Sequence, residues 1–149
     1  MNWLANLLGN INFEMPERGT LKLIKDVQEY VWFGRVKFGS GPTPVELSIE
    51  LAKGEEPTKI ESQVIDNLEE DWEEINDLMF THMTEKFKDS KWEKQKDELE
   101  DMYFLSSISL KREKSECWIV LEPKFNVYSF FNFFPRFTIK DKEIIWSNL

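Results

Sequence analysis

The stretch Thr58 to Phe87, TKIESQVIDNLEEDWEEINDLMFTHMTEKF, decides how the rest of the chain is read. Ile60, Val64, Leu68, Trp72, Ile75, Met79, Met83 and Phe87 recur at spacings of 4, 4, 4, 3, 4, 4 and 4. That is one apolar stripe down one side of an α-helix. Thr58 and Glu61 have capping-box spacing directly after Pro57, which marks the helix start. A second pair of this kind, Ser90 and Glu93, restarts a helix after Lys88 and Asp89, and Trp92 and Leu99 give it a weaker stripe. The spacing predicts two helices within 58–101, one long and one shorter, and leaves open a bend near Thr81.

On both sides of this block the period changes from 3.6 to 2. Upstream, residues 11–51 read as strands. Thr20 to Lys25 is short and half apolar, and Glu29 to Phe38 puts Tyr30, Trp32, Gly34, Val36 and Phe38 on one face. Pro44 to Leu51 turns Val45, Leu47, Ile49 and Leu51 inward and Glu46, Ser48 and Glu50 outward. Such alternation marks half-buried antiparallel strands. Downstream, residues 102–149 carry Tyr103 to Lys111 and Cys117 to Glu122 as a hairpin. Val127 to Phe134 and Arg136 to Lys140 follow, and Glu143 to Ser147 closes a tight turn at Asp141 and Lys142. The expectation is one α+β domain over residues 1–149. Its antiparallel sheet is built from the N-terminal and C-terminal strands, with one long and one shorter helix packed on one face. Parallel βαβ units are not expected, because only one helical block separates the strand blocks.

Composition removes several function classes. With 41% hydrophobic and 14% aromatic residues, the chain has the material for a core and is not of disordered type. A formal charge of −9, from 28 acidic and 19 basic residues, argues against nucleic-acid binding. Cys117 alone allows no intrachain disulfide. The apolar start, Met1 to Leu8, lacks a basic flank and reaches Asn10 within two residues, too short for a signal or a membrane span. We expect a cytoplasmic protein with no membrane association, and the oligomeric state is open.

The charge is not spread evenly. Nine acids (Glu61, Asp66, Glu69, Glu70, Asp71, Glu73, Glu74, Asp77 and Glu85) fall between Ile60 and Glu85 with no Lys or Arg among them. The remaining 28 − 9 = 19 acids balance all 19 bases. A charge run of this kind is commonly a solvated face. It is also what a docking surface for a basic partner looks like, since such a field raises association rates and selects partners. On the second reading the binding residues are Asp66, Glu69, Glu70, Glu73, Glu74 and Asp77.

No catalytic constellation stands out. His82, the only histidine, precedes Glu85 by three residues but lacks the further ligands a zinc site needs, and a helix-surface position accounts for it. Cys117 opens an apolar strand, where a free cysteine behaves as a small hydrophobe. Gly39-Ser40-Gly41 lacks the pattern of a dinucleotide loop, and no P-loop is present. We therefore expect no cofactor, no metal and no catalytic residue. A second feature is aromatic density: Phe125, Phe130, Phe131, Phe133, Phe134 and Phe137 with Tyr128. Both faces of that stretch are apolar, either because the N-terminal segment with Trp3 and Leu7 covers one of them, or because Phe131, Phe133 and Trp146 form an aromatic interface.

The order Tyr30-Val31-Trp32-Phe33-Gly34-Arg35-Val36, then Val45-Glu46-Leu47-Ser48-Ile49, a helix carrying Asp71-Trp72, then Leu105-Ser106-Ser107-Ile108-Ser109-Leu110, resembles small bacterial α+β domains of the immunity type, encoded beside polymorphic toxins. The resemblance implies an inhibitor-like binder and carries over no site residue. The functional expectation is a non-catalytic, immunity-like protein that captures a basic partner. The alternatives are a small enzyme with a carboxylate-lined cleft and a self-associating structural protein.

Overall fold

The computed structural model describes residues 11–25, 29–112, 114–125 and 132–149. Eight strands form one sheet in sequence order: β1 (Asn12–Met15), β2 (Gly19–Lys25), β3 (Glu29–Val36), β4 (Val45–Ala52), β5 (Tyr103–Lys111), β6 (Glu116–Pro123), β7 (Arg136–Lys140) and β8 (Glu143–Ser147). Three helices lie between β4 and β5: α1 (Lys59–Glu70), α2 (Trp72–Phe87) and α3 (Lys96–Met102). The fold is α+β, as the periodicity implies.

One feature of the sheet overturns an expectation. β4 and β5 pair in parallel, with Leu47 opposite Ile108 and Ile49 opposite Leu110, while every other pair is antiparallel. Two four-stranded meanders thus lie side by side, joined by a helical crossover. A parallel pair needs a connection of a dozen or more residues, and one helical block supplies that once.

The registers place Leu21, Leu23, Trp32, Val36, Leu47, Ile49, Ile108, Leu110, Ile119, Leu121, Phe137 and Ile139 on one face, all buried. Ile65, Leu68, Ile75, Met79, Met83 and Leu99 of the helices join the same core. The other face alternates with it residue by residue, as the pleat requires.

The helical block departs from expectation in two places. The expected stripe holds from Leu68 onward, but Ile60 is 61% exposed and the buried face of α1 runs through Glu61, Ile65 and Leu68 instead; nor is the helix continuous. It breaks at Asp71 (φ −89°, ψ 3°) and not near Thr81. The break falls inside the acid run. It turns Glu73 and Glu74 into first-turn acids of α2, where the helix dipole favours them. Capping bonds also form at Ser90 and Glu93, but no helix follows. Ser90 Oγ donates to Phe87 O at 2.6 Å while accepting from Trp92 N, and Asp89 takes φ 60°. The capping chemistry closes a turn, and α3 starts later, at a Gln95–Glu98 box.

Three strands match their expected bounds: β5, β7 and β8. Of the expected strand Val127 to Phe134, residues 127–131 lie outside the described residues, and 132–134 are irregular. The proposed cover by Trp3 and Leu7 also lies outside them. Among the described residues, no helix is long and apolar enough to cross a membrane.

Candidate functional site

The acid run sits at the α1–α2 junction, and most of it faces cations delivered from distant turns. The turn between β1 and β2 carries Arg18. Its Nη2 lies 2.8 Å from Asp66 Oδ1 and its Nη1 2.9 Å from Glu69 Oε2. Glu69 also accepts the Gly39 backbone N–H at 2.7 Å. The Arg18 hydrogen bond, then the Gly39 amide, hold the Glu69 carboxyl below the usual carboxylate range. Arg112, from the β5–β6 turn, donates Nε to the buried Glu61 at 2.6 Å. Lys142, from the β7–β8 turn, lies 3.2 Å from Asp71 and 3.3 Å from Glu74. Lys96 at the start of α3 pairs with Asp77.

Six of the nine acids are therefore compensated by Arg18, Arg112, Lys142 and Lys96. Of the expected binding residues, Asp66, Glu69, Glu74 and Asp77 hold these internal pairs. Glu70 and Glu73, both exposed, have no ion-pair partner among the described residues. The charge is segregated in sequence and largely matched in space.

Beside this junction lies a cleft of about 510 Å³, lined by Phe38, Trp72, Phe104, Leu105 and Lys124 and by the loop from Gly39 to Thr43. Phe38 and Trp72 meet edge to face, ring centroids 5.3 Å apart, so the loop after β3 is clamped to the first residue of α2. Trp72 stands directly before Glu73 in the chain. A volume in this range with apolar walls and a few polar groups has the character of a binding site. Phe38, Phe104, Arg18 and Lys124 were not expected at a site, because five separate chain segments build it.

Phe133 and Trp146, two of the three expected interface aromatics, do not share a patch. Phe133 is half-buried, edge to face with Phe87 at 6.1 Å, and Trp146 is exposed on the opposite face of the sheet. Phe131 lies outside the described residues. Trp146 stacks instead on Trp118, with ring centroids 6.5 Å apart. The alternation of β6, with Ile119 and Leu121 inward, was the signal that puts Trp118 outward.

His82 is half-buried rather than on the helix surface. It packs on Phe137 and its Nε2 lies 3.0 Å from Ser147 Oγ. Burial, with Lys86 adding to it, pushes its pKa below the ordinary histidine value. Burial pushes the Cys117 thiol up to about 11. That thiol is almost wholly protonated at pH 8, so it should react with a maleimide at least about tenfold more slowly than a free cysteine peptide. Equal rates would show the strand opening. Among the described residues, no three His, Cys, Asp or Glu side chains gather as a metal site.

No family model, curated protein or solved structure matches the chain.

Proposed function

We propose that this chain is a non-catalytic binding domain that captures a basic protein partner at the α1–α2 junction, acting as an immunity-like inhibitor. The observation that carries the reading is that the Phe38–Trp72–Phe104 cleft lies at the same helix junction as Glu70 and Glu73, exposed acids with no ion-pair partner among the described residues. A basic segment of the partner lies along Glu70 and Glu73, and one apolar side chain enters the cleft. The acids set association rate and selectivity, and the aromatic walls contribute most to residence time. Glu61, Asp66, Glu69, Asp71, Glu74 and Asp77 keep their internal ion pairs and hold the surface in shape.

The test is partner capture from the native lysate, followed by binding kinetics. Glu70→Lys with Glu73→Lys should lower the association rate at least about tenfold and flatten its salt dependence. The melting temperature should stay within about 2 °C, since both side chains are exposed and unpaired. Unchanged capture by the double variant would overturn the reading.

A further inference from the structure

The outer face of the sheet, away from the helices, is not the polar surface that a one-sided antiparallel sheet presents. The registers set Lys22, Phe33, Ser48, Ser109, Trp118, Thr138 and Trp146 opposite one another in a single row across seven strands. At one end of the row Trp118 and Trp146 lean together over Thr138. The threonine is only 4% exposed, whereas the two indoles remain 39% and 50% exposed. These indoles make a ridge. In the middle of the row the side chains are small. Ser48 and Ser109 hydrogen-bond to each other at 2.7 Å, using up their polar groups on the floor. Phe33 closes the far side, three strands from Trp118, so the trough between them is about 14 Å wide at ordinary strand spacing. A ridge and a trough of matching scale therefore occupy the same face.

The charges on this face say what can approach it. Several come as opposite-sign neighbours: Arg35 with Glu46 at 3.9 Å, Lys111 with Glu50 at 3.0 Å, and Lys140 opposite Glu143 in the register, while Lys22 and Glu122, of opposite sign, stand apart. The acids Glu70, Glu73 and Glu85, which have no cation partner among the described residues, all lie on the helices at the other side of the sheet. A molecule of net charge −9 repels its own copies over most approaches. Through the outer face two copies meet as surfaces of mixed, nearly balanced charge around an aromatic ridge, with the unpaired helix acids held apart by two sheets.

We propose that the outer face is a homodimer interface. Two copies are related by a two-fold axis, with the Trp118–Trp146 ridge of each seated in the Ser48–Ser109 trough of the other. Such contacts are isologous, so each ridge-in-trough contact is made twice. The two sheets pack face to face at about 10 Å, giving helix, sheet, sheet and helix layers. The helical surface with the α1–α2 cleft stays outside the dimer, so this assembly is independent of the binding reading above.

Sedimentation velocity on the full chain, from micromolar to millimolar concentration, tests it. The native chain should dimerise reversibly, and association should tighten as salt screens the net charge. A basic partner bound at the acidic junction would show the opposite salt dependence. Trp146→Glu and Ser109→Lys should each raise the dimer dissociation constant at least about thirtyfold, with circular dichroism unchanged. Mixing those two variants should restore much of the association, because one ridge-in-trough contact becomes Glu against Lys and the other is native. Mere loss of folding would not produce such recovery. A native chain that stays monomeric at millimolar concentration overturns the proposal. So does a dimer indifferent to both variants, or a mixture that does not recover.

Discussion

Arg112→Met should lower the unfolding free energy by about 3–5 kcal/mol and the melting temperature by roughly 10 °C. The reason is the carboxylate it would abandon. Glu61 is 2% exposed, and its Oε2 caps α1 by accepting the Thr58 backbone N–H at 2.7 Å. Arg112 Nε lies 2.6 Å from Glu61 Oε1, and its two terminal nitrogens reach Glu55 Oε2 at 3.3 Å and Glu56 O at 2.8 Å. One guanidinium thus ties the β5–β6 turn to the segment leading into α1. Without it, a buried charge keeps two backbone amides and loses the one cation that pairs with it among the described residues. Urea unfolding of the single variant, beside the double variant Arg112→Met with Glu61→Met, measures the effect. The double variant should recover most of the loss, because an apolar pair is often as stable as a buried ion pair. A loss below about 1 kcal/mol in the single variant would mean that water reaches Glu61.

The same site fixes the sign of the pH dependence. Burial raises the Glu61 carboxyl, but the Arg112 hydrogen bond and the backbone amides outweigh it and leave the carboxyl below the usual value. A depressed folded value contributes stability that is present above the unfolded value, about 4.3, and lost as pH falls through the folded value. In Arg112→Met the folded value rises relative to the native one. The difference in stability between native and variant chains should therefore be largest at neutral pH and shrink below about pH 4.

What could be read from the sequence was whatever local sterics control. Period-2 alternation placed Tyr103–Lys111, Arg136–Lys140 and Glu143–Ser147 to the residue, because each strand is half-buried and shows its own face pattern. The break at Asp71 was hidden because the apolar stripe runs through it without a change of phase. The parallel pairing of β4 with β5 leaves no local mark, since both strands alternate as antiparallel ones do. The acid run was legible and its compensation was not. Arg18 lies 48 residues from Asp66, and Arg112 lies 51 from Glu61. Neither pairing has a local signature, so a sequence reading sees nine acids and misses the turns that neutralise five of them.

The turn that holds Arg18 depends on a close backbone approach, and Gly34→Ala should disrupt it at a cost of about 3 kcal/mol. A Cβ at position 34 would stand 2.2 Å from Thr20 O and 3.1 Å from a Leu21 methyl. On the facing strand, a Cβ on Gly19, which already sits at φ +148°, would meet Arg35 O at 2.8 Å. Two glycines thus let β2 and β3 press together where the β1–β2 turn leaves the sheet. A carbonyl of the backbone cannot move aside as a flexible side chain can, so the turn itself must shift. The turn holds Arg18, whose carbonyl accepts the Lys37 N–H at 2.9 Å and whose guanidinium orders Glu69 against Gly39. Amide exchange at Lys37 and Gly39 should therefore accelerate more in Gly34→Ala than exchange in β5 and β6. Gly41→Ala makes the contrast: a Cβ there meets nothing within 4 Å, so its stability should match the native chain or exceed it slightly. Uniform acceleration across the whole sheet would mean a global loss and would refute a local role for the approach. If the loosening is local, Gly34→Ala should also weaken partner capture at temperatures where the domain is still folded. The glycine touches neither the acids nor the cleft. It would act only through the turn that holds Glu69, and through Glu69 the Gly39 loop that forms one wall of the cleft.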